Sequence, residues 1–208
     1  MSMYVFLVVL GFLAEEILCH GIFWYPPNRS TLWRYNSIAP INYNDNGLNC
    51  GGFHTQYYVN GGKCGICGDS YSDSHPQNNE NTGKYGRGII AATYEAGSVI
   101  DIKIKLTANH LGTFTYSLCK LEDPNAPEPG EHCFTPLLLA DGSSQYGVSK
   151  DEFYIENKIK LPEETCERCV LRWHYRAGNN WGECGDGSSG LGCGPQETFR
   201  SCADISIV

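Results

Sequence analysis

Positive charge is scarce in this sequence. Its 208 residues carry 15 Lys and Arg against 23 Asp and Glu, a formal net charge of −8, and charged residues of both signs make up only 18%. No Lys/Arg cluster occurs. A phosphate backbone needs a basic surface, so this balance excludes a nucleic-acid binder, and it argues equally against an anionic membrane as partner. Helical periodicity is weak throughout, which leaves little room for helices beyond short ones in loops. Long apolar runs are missing as well. Val5–Leu13 (VFLVVLGFL) is too short to cross a bilayer, and no later run is longer. There is no internal repeat and no linker, so the length reads as a single domain. With 41% hydrophobic residues, that domain has enough apolar content for a core.

Val5–Leu13 reads instead as the apolar region of a secretory signal peptide, cut between Cys19 and His20. The segment departs from the usual pattern in two ways: no Lys or Arg precedes the apolar run, and Glu15 and Glu16 precede the cut. The expected organisation is a signal peptide over residues 1–19 and one domain over 20–208, soluble and secreted. Losing Glu15 and Glu16 leaves 21 acids against 15 bases, a net charge of −6. The cut also removes Cys19 and leaves ten cysteines, an even number. In an oxidising compartment ten cysteines imply five disulfides of unassigned connectivity, with Cys119–Cys133 a natural local closure. Cys64-Gly-Ile-Cys67 and Cys166-Glu-Arg-Cys169 have zinc-knuckle spacing, but the signal segment and the even count favour bridges over metal.

The regular elements read as strands. Val99–Thr107 alternates apolar and polar side chains, the pattern of a half-buried strand, and Phe153–Leu161 does the same. Gly88–Thr93, Thr113–Leu118, Cys169–Tyr175 and Asp204–Val208 complete the set, and His110-Leu111-Gly112 suggests a hairpin-like turn between the second and third strands. Residues Tyr25–Lys84 are rich in Asn, Gly, Tyr and Cys without periodicity. That is too long for an ordinary connection, so the segment is functional surface or a disulfide-stapled loop region. The fold class is all-β, an immunoglobulin- or fibronectin-III-like β-sandwich with long stapled loops.

A chain cut before His20 begins with a histidine, whose α-amine and imidazole Nδ1 can chelate one metal together. A second imidazole opposite would complete a T-shaped nitrogen site, ligation that suits Cu(II), while imidazole also serves Cu(I). The partner could be His110, at the end of the alternating strand, but His54, His75, His132 and His174 compete, and composition does not choose.

A series of motifs runs along the chain from that histidine. His20-Gly21 is followed by Pro26-Pro27 and Arg29, then by Asn49-Cys50-Gly51-Gly52 and Gly61-Gly62-Lys63-Cys64-Gly65-Ile66-Cys67-Gly68-Asp69. Next come Leu106-Thr107-Ala108-Asn109-His110, Leu171-Arg172-Trp173 and Gly178-Asn179-Asn180-Trp181-Gly182. The series ends with Gln196-Glu197-Thr198-Phe199-Arg200-Ser201-Cys202-Ala203-Asp204-Ile205. In this ordered set, across His20–Val208, the sequence resembles the lytic polysaccharide monooxygenases, most of all the arthropod-rich auxiliary-activity family fifteen, and the related chitin-binding type-4 domains.

The resemblance implies copper held by a histidine brace of His20 and His110. It implies Phe199 at the axial position, where many members have Tyr and where Phe cannot ligate. It further implies Ala108 as the small residue beside the copper, Trp173 as an aromatic packed near it, and Glu197 as a neighbouring carboxylate. The implied activity is oxidative cleavage of chitin or cellulose at C1 or C4, using an external electron donor and O₂ or H₂O₂. Such chemistry tolerates a flat surface and needs no pair of acids flanking the bond. Trp24, Tyr25, Tyr43, Tyr57 and Tyr58 are candidates for stacking on sugar, with one or two expected to touch it. The protein is expected to act as a monomer, and Asn28-Arg29-Ser30 is a glycosylation sequon. The alternatives are a non-catalytic chitin-binding protein, a copper-handling protein with the same brace, and a structural matrix component.

Overall fold

The computed structural model describes residues 20–208, with His20 described by its backbone alone. The expected signal segment, residues 1–19 including Cys19, lies outside the described residues. Eleven strands follow one another: β1 His20–Tyr25, β2 Ala92–Tyr94, β3 Val99–Ala108, β4 Thr113–Lys120, β5 Thr135–Leu137, β6 Tyr146–Gly147, β7 Tyr154–Lys160, β8 Cys166–Arg176, β9 Trp181–Glu183, β10 Ser189–Leu191 and β11 Thr198–Ile207. They form a three-stranded sheet in the order β1-β3-β7 and a six-stranded sheet in the order β2-β11-β8-β4-β5, with β6 also on β4. β9 and β10 make a separate two-stranded ribbon. Helical structure among the described residues is limited to short 3₁₀ turns and one π-helical turn at Thr55–Val59.

The two main sheets pack face to face, as the all-β reading expects. β3 buries Ile100, Ile102, Ile104 and Leu106 and turns Asp101 and Lys103 outward. β7 buries Ile155 and Ile159 in the same rhythm, and its buried Asn157 is satisfied by donating to the Tyr116 hydroxyl at 2.7 Å. The other sheet meets them with Phe114, Leu171, Trp173, Tyr175, Phe199, Ala203 and Ile205. Phe114 sits edge-on to both Trp173 and Tyr175, with ring centroids 5.2 and 4.9 Å away.

The irregular segment before β2 covers the outer face of the six-stranded sheet. A second cluster forms there from Cys67, Cys119, Leu121, Phe134, Val170 and Cys202. All five expected bridges are present: Cys50–Cys64, Cys67–Cys202, Cys119–Cys133, Cys166–Cys169 and Cys184–Cys193. Cys67–Cys202 spans 135 residues and ties the segment to β11. On a chain-entropy view, closing a loop of that length is worth about 4–5 kcal/mol. Beneath it Arg29, 2% exposed, donates to Asp204 at 2.9 and 2.8 Å, to Glu128 at 2.6 Å and to the Asn79 carbonyl at 2.8 Å.

Two expectations need correction, and the sequon, whose occupancy the sequence leaves open, is found buried. β3 and β4 are not a hairpin, because they belong to different sheets. The intervening turn is tied to the end of β8 instead: the Gly178 amide donates to the His110 carbonyl at 2.8 Å, and Gly112, at φ +90°, has no room for a Cβ against the Arg176 carbonyl. The strand expected at Gly88–Thr93 is confined to Ala92–Tyr94, parallel to β11. Gly88 lies at φ +67° with the Arg168 guanidinium where a Cβ would be, so the chain is still turning there. Finally, the Asn28 sequon is closed in the folded protein. Asn28 is 0% exposed and its Nδ2 donates to the Phe23 carbonyl at 2.7 Å.

Candidate copper site

β1 was not foreseen as a strand, and it makes the site. It runs antiparallel to β3, with the Cα of His20 paired with that of Ala108. His110 follows two residues later. The amino end of the expected mature chain and the second histidine are thereby brought to one end of the sandwich. Gly21 is buried beside Trp173. A Cβ at Gly21 would lie 2.7 Å from the indole, so glycine lets β1 lie flat on the ring. Trp173 is 0% exposed and stacks on Tyr175 at 5.8 Å.

His110 is held from several sides. Its main-chain amide donates to the Tyr175 hydroxyl at 3.1 Å. Its ring Nδ1 is 3.1 Å from the Asn179 side-chain amide and 3.9 Å from Glu197 Oε2. The Tyr175 ring also stacks on Phe199 at 5.7 Å, and Phe199 is 1% exposed. Phe199 and Tyr175 are direct partners in the β8–β11 ladder, so the strand register itself makes this stack. The sequence-derived residues therefore gather at one end: His20 and Ala108 by register, Glu197 beside the His110 ring, Trp173 beneath Gly21, and Phe199 beneath Tyr175.

Sequence reading gave no site role to three residues here, although Asn179 and Trp181 stand in the ordered motifs. Tyr175 anchors the backbone of His110, Asn179 meets its ring, and Trp181 stands exposed beside it. Tyr175 alternates with Trp173 along β8, a signal for burial but not for the hydroxyl's partner. Asn179 lies in a loop, where no period exists to be read. His110, Glu197 and Asn179 line an open depression of about 840 Å³ together with Asn49, Gly51, Gly52, Phe53, His54, Tyr58, Asn180, Trp181 and Pro195. Of the five aromatics expected to face sugar, only Tyr58 lines it. Trp24 packs edge-on against Tyr35 at 5.8 Å, Tyr43 against Trp33 at 5.5 Å, and the Tyr57 hydroxyl donates to the Gln196 carbonyl at 2.8 Å. Tyr25 lies at the other end of β1, opposite Lys103.

The donor set fits copper and does not suit a thiolate metal site, because all ten cysteines among the described residues are bridged. Two of the other histidines are engaged elsewhere, while His54 lines the same depression as His110. His75 is paired with Glu80 at 2.8 Å, and His174 accepts from Arg200 Nε at 3.0 Å.

Comparison with known proteins shows the family of the chain. A family model described as lytic polysaccharide mono-oxygenase, cellulose-degrading, matches residues 20–205. The lytic polysaccharide monooxygenase AA15 from Thermobia domestica, solved in the Cu(I) state, is 48% identical. That match covers 90% of this chain and 98% of the other, with a TM-score of 0.87. The cellulose-active CelS2, solved with copper, and LPMO10B from Micromonospora aurantiaca are each 14% identical over 90% of this chain, covering 98% and 99% of their own. Their TM-scores of 0.48 and 0.44 carry no further argument. No curated protein matches the chain. The family match over nearly all the described residues, and the relative at 48% identity, show that the chain belongs to the lytic polysaccharide monooxygenases, copper-dependent enzymes that act oxidatively on polysaccharide.

Proposed function

We propose that the mature enzyme begins at His20, that His20 and His110 hold its copper, and that it is secreted to cleave chitin, cellulose or both. The observation that carries the reading is the pairing of His20 with Ala108, two residues from His110. The bridged cysteines support an oxidising compartment. Copper, when bound, supplies one-electron redox chemistry and the activation of O₂ or H₂O₂.

The chain's own residues supply the rest. The α-amine of His20 has a reference pKa of about 7.7–8.0 and must lose a proton to act as a ligand. The Asn179 side-chain Nδ2 lies 3.1 Å from His110 Nδ1, with Glu197 Oε2 at 3.9 Å, and these two side chains hold the orientation of the His110 ring. Phe199 has no donor atom, so it would offer the copper bulk and no ligand, and Ala108 lies on the strand beside His20.

The test is product mass spectrometry. Mature protein with an authentic His20 terminus is loaded with copper and given ascorbate, on chitin and on cellulose separately, beside a His110→Ala control. Oxidised oligosaccharides from the wild type alone support the reading and name the substrate. Their absence, with copper bound, favours a binding or copper-handling role. A protein carrying one extra residue before His20 is expected to lose tight copper binding, because the amine becomes an amide. Unchanged copper affinity by calorimetry would refute the brace.

A further inference from the structure

Trp173 and Tyr175 alternate along β8, so both rings leave the same face of the six-stranded sheet and enter the core against the three-stranded one. Both are fully buried, and they stack with centroids 5.8 Å apart. Neighbours clamp the pair. Phe114 stands edge-on to each ring, and Phe199 stacks on Tyr175 at 5.7 Å. Phe114 on β4 and Phe199 on β11 are the direct ladder partners of Tyr175, so the strand register builds the clamp. Rings packed this closely keep one orientation, because a core at native density leaves no room for a second.

Each ring meets the main chain at or beside one of the two histidines. The Trp173 ring lies under Gly21, the residue after His20. A Cβ there would come 2.7 Å from one indole carbon and 3.6 Å from the next. Gly21 lies within β1 and outside the left-handed region, so the ring rather than the backbone demands glycine. The indole Nε1 has no hydrogen-bond partner among the described residues, so what Trp173 contributes here is the reach of its ring. The Tyr175 hydroxyl accepts from the His110 amide at 3.1 Å. The His110 carbonyl is held too, by the Gly178 amide just past the end of β8, at 2.8 Å. One strand thus supports β1 beside His20 with its first ring and the main chain of His110 with its second.

We propose that Trp173 and Tyr175 are positioning residues that act as a pair, fixing the separation of the His20 and His110 main chains and so the bite of the copper site. Trp173 sets the height of β1 above the core, and Tyr175 sets the place of His110. Two ligands on separate segments serve one metal only if their spacing is held to within about 0.5 Å. The segments that carry them do not fix that spacing by themselves. β1 shifts register between His20 and Gly21, and His110 lies two residues past the end of β3. β8, paired on both sides by β4 and β11, is a rigid strand that reaches both. The inference rests on the reading that His20 and His110 hold copper.

The test uses mature protein with an authentic His20 terminus. It reads copper affinity by calorimetry, the electron paramagnetic resonance spectrum of the Cu(II) protein, and the urea midpoint. Tyr175→Phe keeps the stack and removes only the hydroxyl. It should weaken copper binding about fivefold, the equivalent of one ordinary hydrogen bond, and shift the spectrum. Gly21→Ala should lift β1 from the ring and weaken copper binding about tenfold. Trp173→Phe shortens the ring, so in that background Gly21→Ala should cost less than about twofold. If Gly21→Ala does not fold, rescue of folding and affinity together by Trp173→Phe reads the same contact. Ile159→Val is the control for a purely structural change. Ile159 is buried opposite Ile100, at the far end of β3 from Ala108, so its variant should lower the midpoint and leave affinity and spectrum alone. Tyr175→Phe and Gly21→Ala variants that behave like this control would overturn the proposal. An equal loss from Gly21→Ala with and without the large ring would overturn the role of Trp173. His110→Ala separates the two readings. If it binds copper as tightly as wild type, the brace is wrong and the proposal falls with it. If it loses copper while Tyr175→Phe and Gly21→Ala keep both affinity and spectrum, the brace stands and the positioning pair does not.

Discussion

The two sheets of this sandwich solve burial differently. The β1-β3-β7 sheet buries one face and gives the other to water. Along β3 and β7 its outward residues pair across the strands as Asp101 with Lys158 and Lys103 with Glu156, at 2.6 and 2.9 Å. The central strands of the other sheet, β8 and β11, are buried on both faces over most of their length, because the stapled irregular segment covers the outer one. Charges follow the same division. Those on the open sheet are solvated, whereas those under the stapled segment are enclosed and must be satisfied by one another. The lesson is that the ionic contacts that matter for folding sit under the loops.

The strongest way to break this comparison is at Arg29. Burial works against its charge, and Asp204, then Glu128, more than restore it, holding its pKa above the ordinary value. Removing the guanidinium leaves the buried Glu128 carboxylate without its ion pair and Asp204 with only the Arg168 guanidinium, at 3.9 Å. Breaking such a buried network costs about 3–5 kcal/mol. Arg29→Met is therefore expected to lower the urea midpoint sharply without changing the intact bridges. A loss no larger than that of a surface variant would show that water reaches the Asp204 carboxylate.

The same division explains what the sequence made legible. β3 and β7 could be read because one face is wet, and alternation records that asymmetry. β8 and β11 read only as fragments, Cys169–Tyr175 and Asp204–Val208, because a strand buried on both faces has no alternation to show. β1 was invisible for another reason: HGIFWY is short, and nothing local says that it pairs with a strand some eighty residues later. The even cysteine count was legible as five bridges, but their partners depended on three-dimensional approach. Of the proposed site, the two histidines and their companions were named from the ordered motifs. Asn179 stood in those motifs without a role, and its contact with the His110 ring, like that of the Tyr175 hydroxyl with the His110 amide, is one that no spacing encodes. The five aromatics chosen from composition lay mostly outside the depression beside His110, since composition does not say on which part of the surface an exposed ring stands.

A smaller effect should come from His174, on β8 under the same cover. Burial, then the guanidinium groups of Arg200, Arg172 and Arg176, push its pKa down from 6.5 to about 3. The folded protein therefore keeps this ring neutral where an unfolded chain would protonate it. The sign follows from that: the contribution is complete above pH 6.5 and is lost progressively as pH falls from there towards 3. Stability should decline by at most about 1.4 kcal/mol per pH unit from this group. The window from pH 6.5 to 5 isolates it, because most carboxylates have not yet titrated. His174→Gln, which can still accept from Arg200, should flatten that slope in denaturant titrations. An unchanged slope would mean that the proton is taken up elsewhere.

The least effect is expected on the open sheet, and it sharpens the contrast most. Lys158 and Asp101 touch at 2.6 Å, closer than many buried pairs, yet their side chains are 65% and 58% exposed. Both charges keep their hydration when separated, and ordering two long side chains offsets what attraction remains. Lys158→Ala should leave the unfolding midpoint unchanged within error, at low and at high salt alike. A salt-sensitive loss would show that the outward ladder acts as a network rather than as separate pairs, and the open face would then owe its stability to charge as the covered one does. The distance alone cannot decide this, since a short contact in water and a short contact under a stapled loop differ in what replaces them when they break.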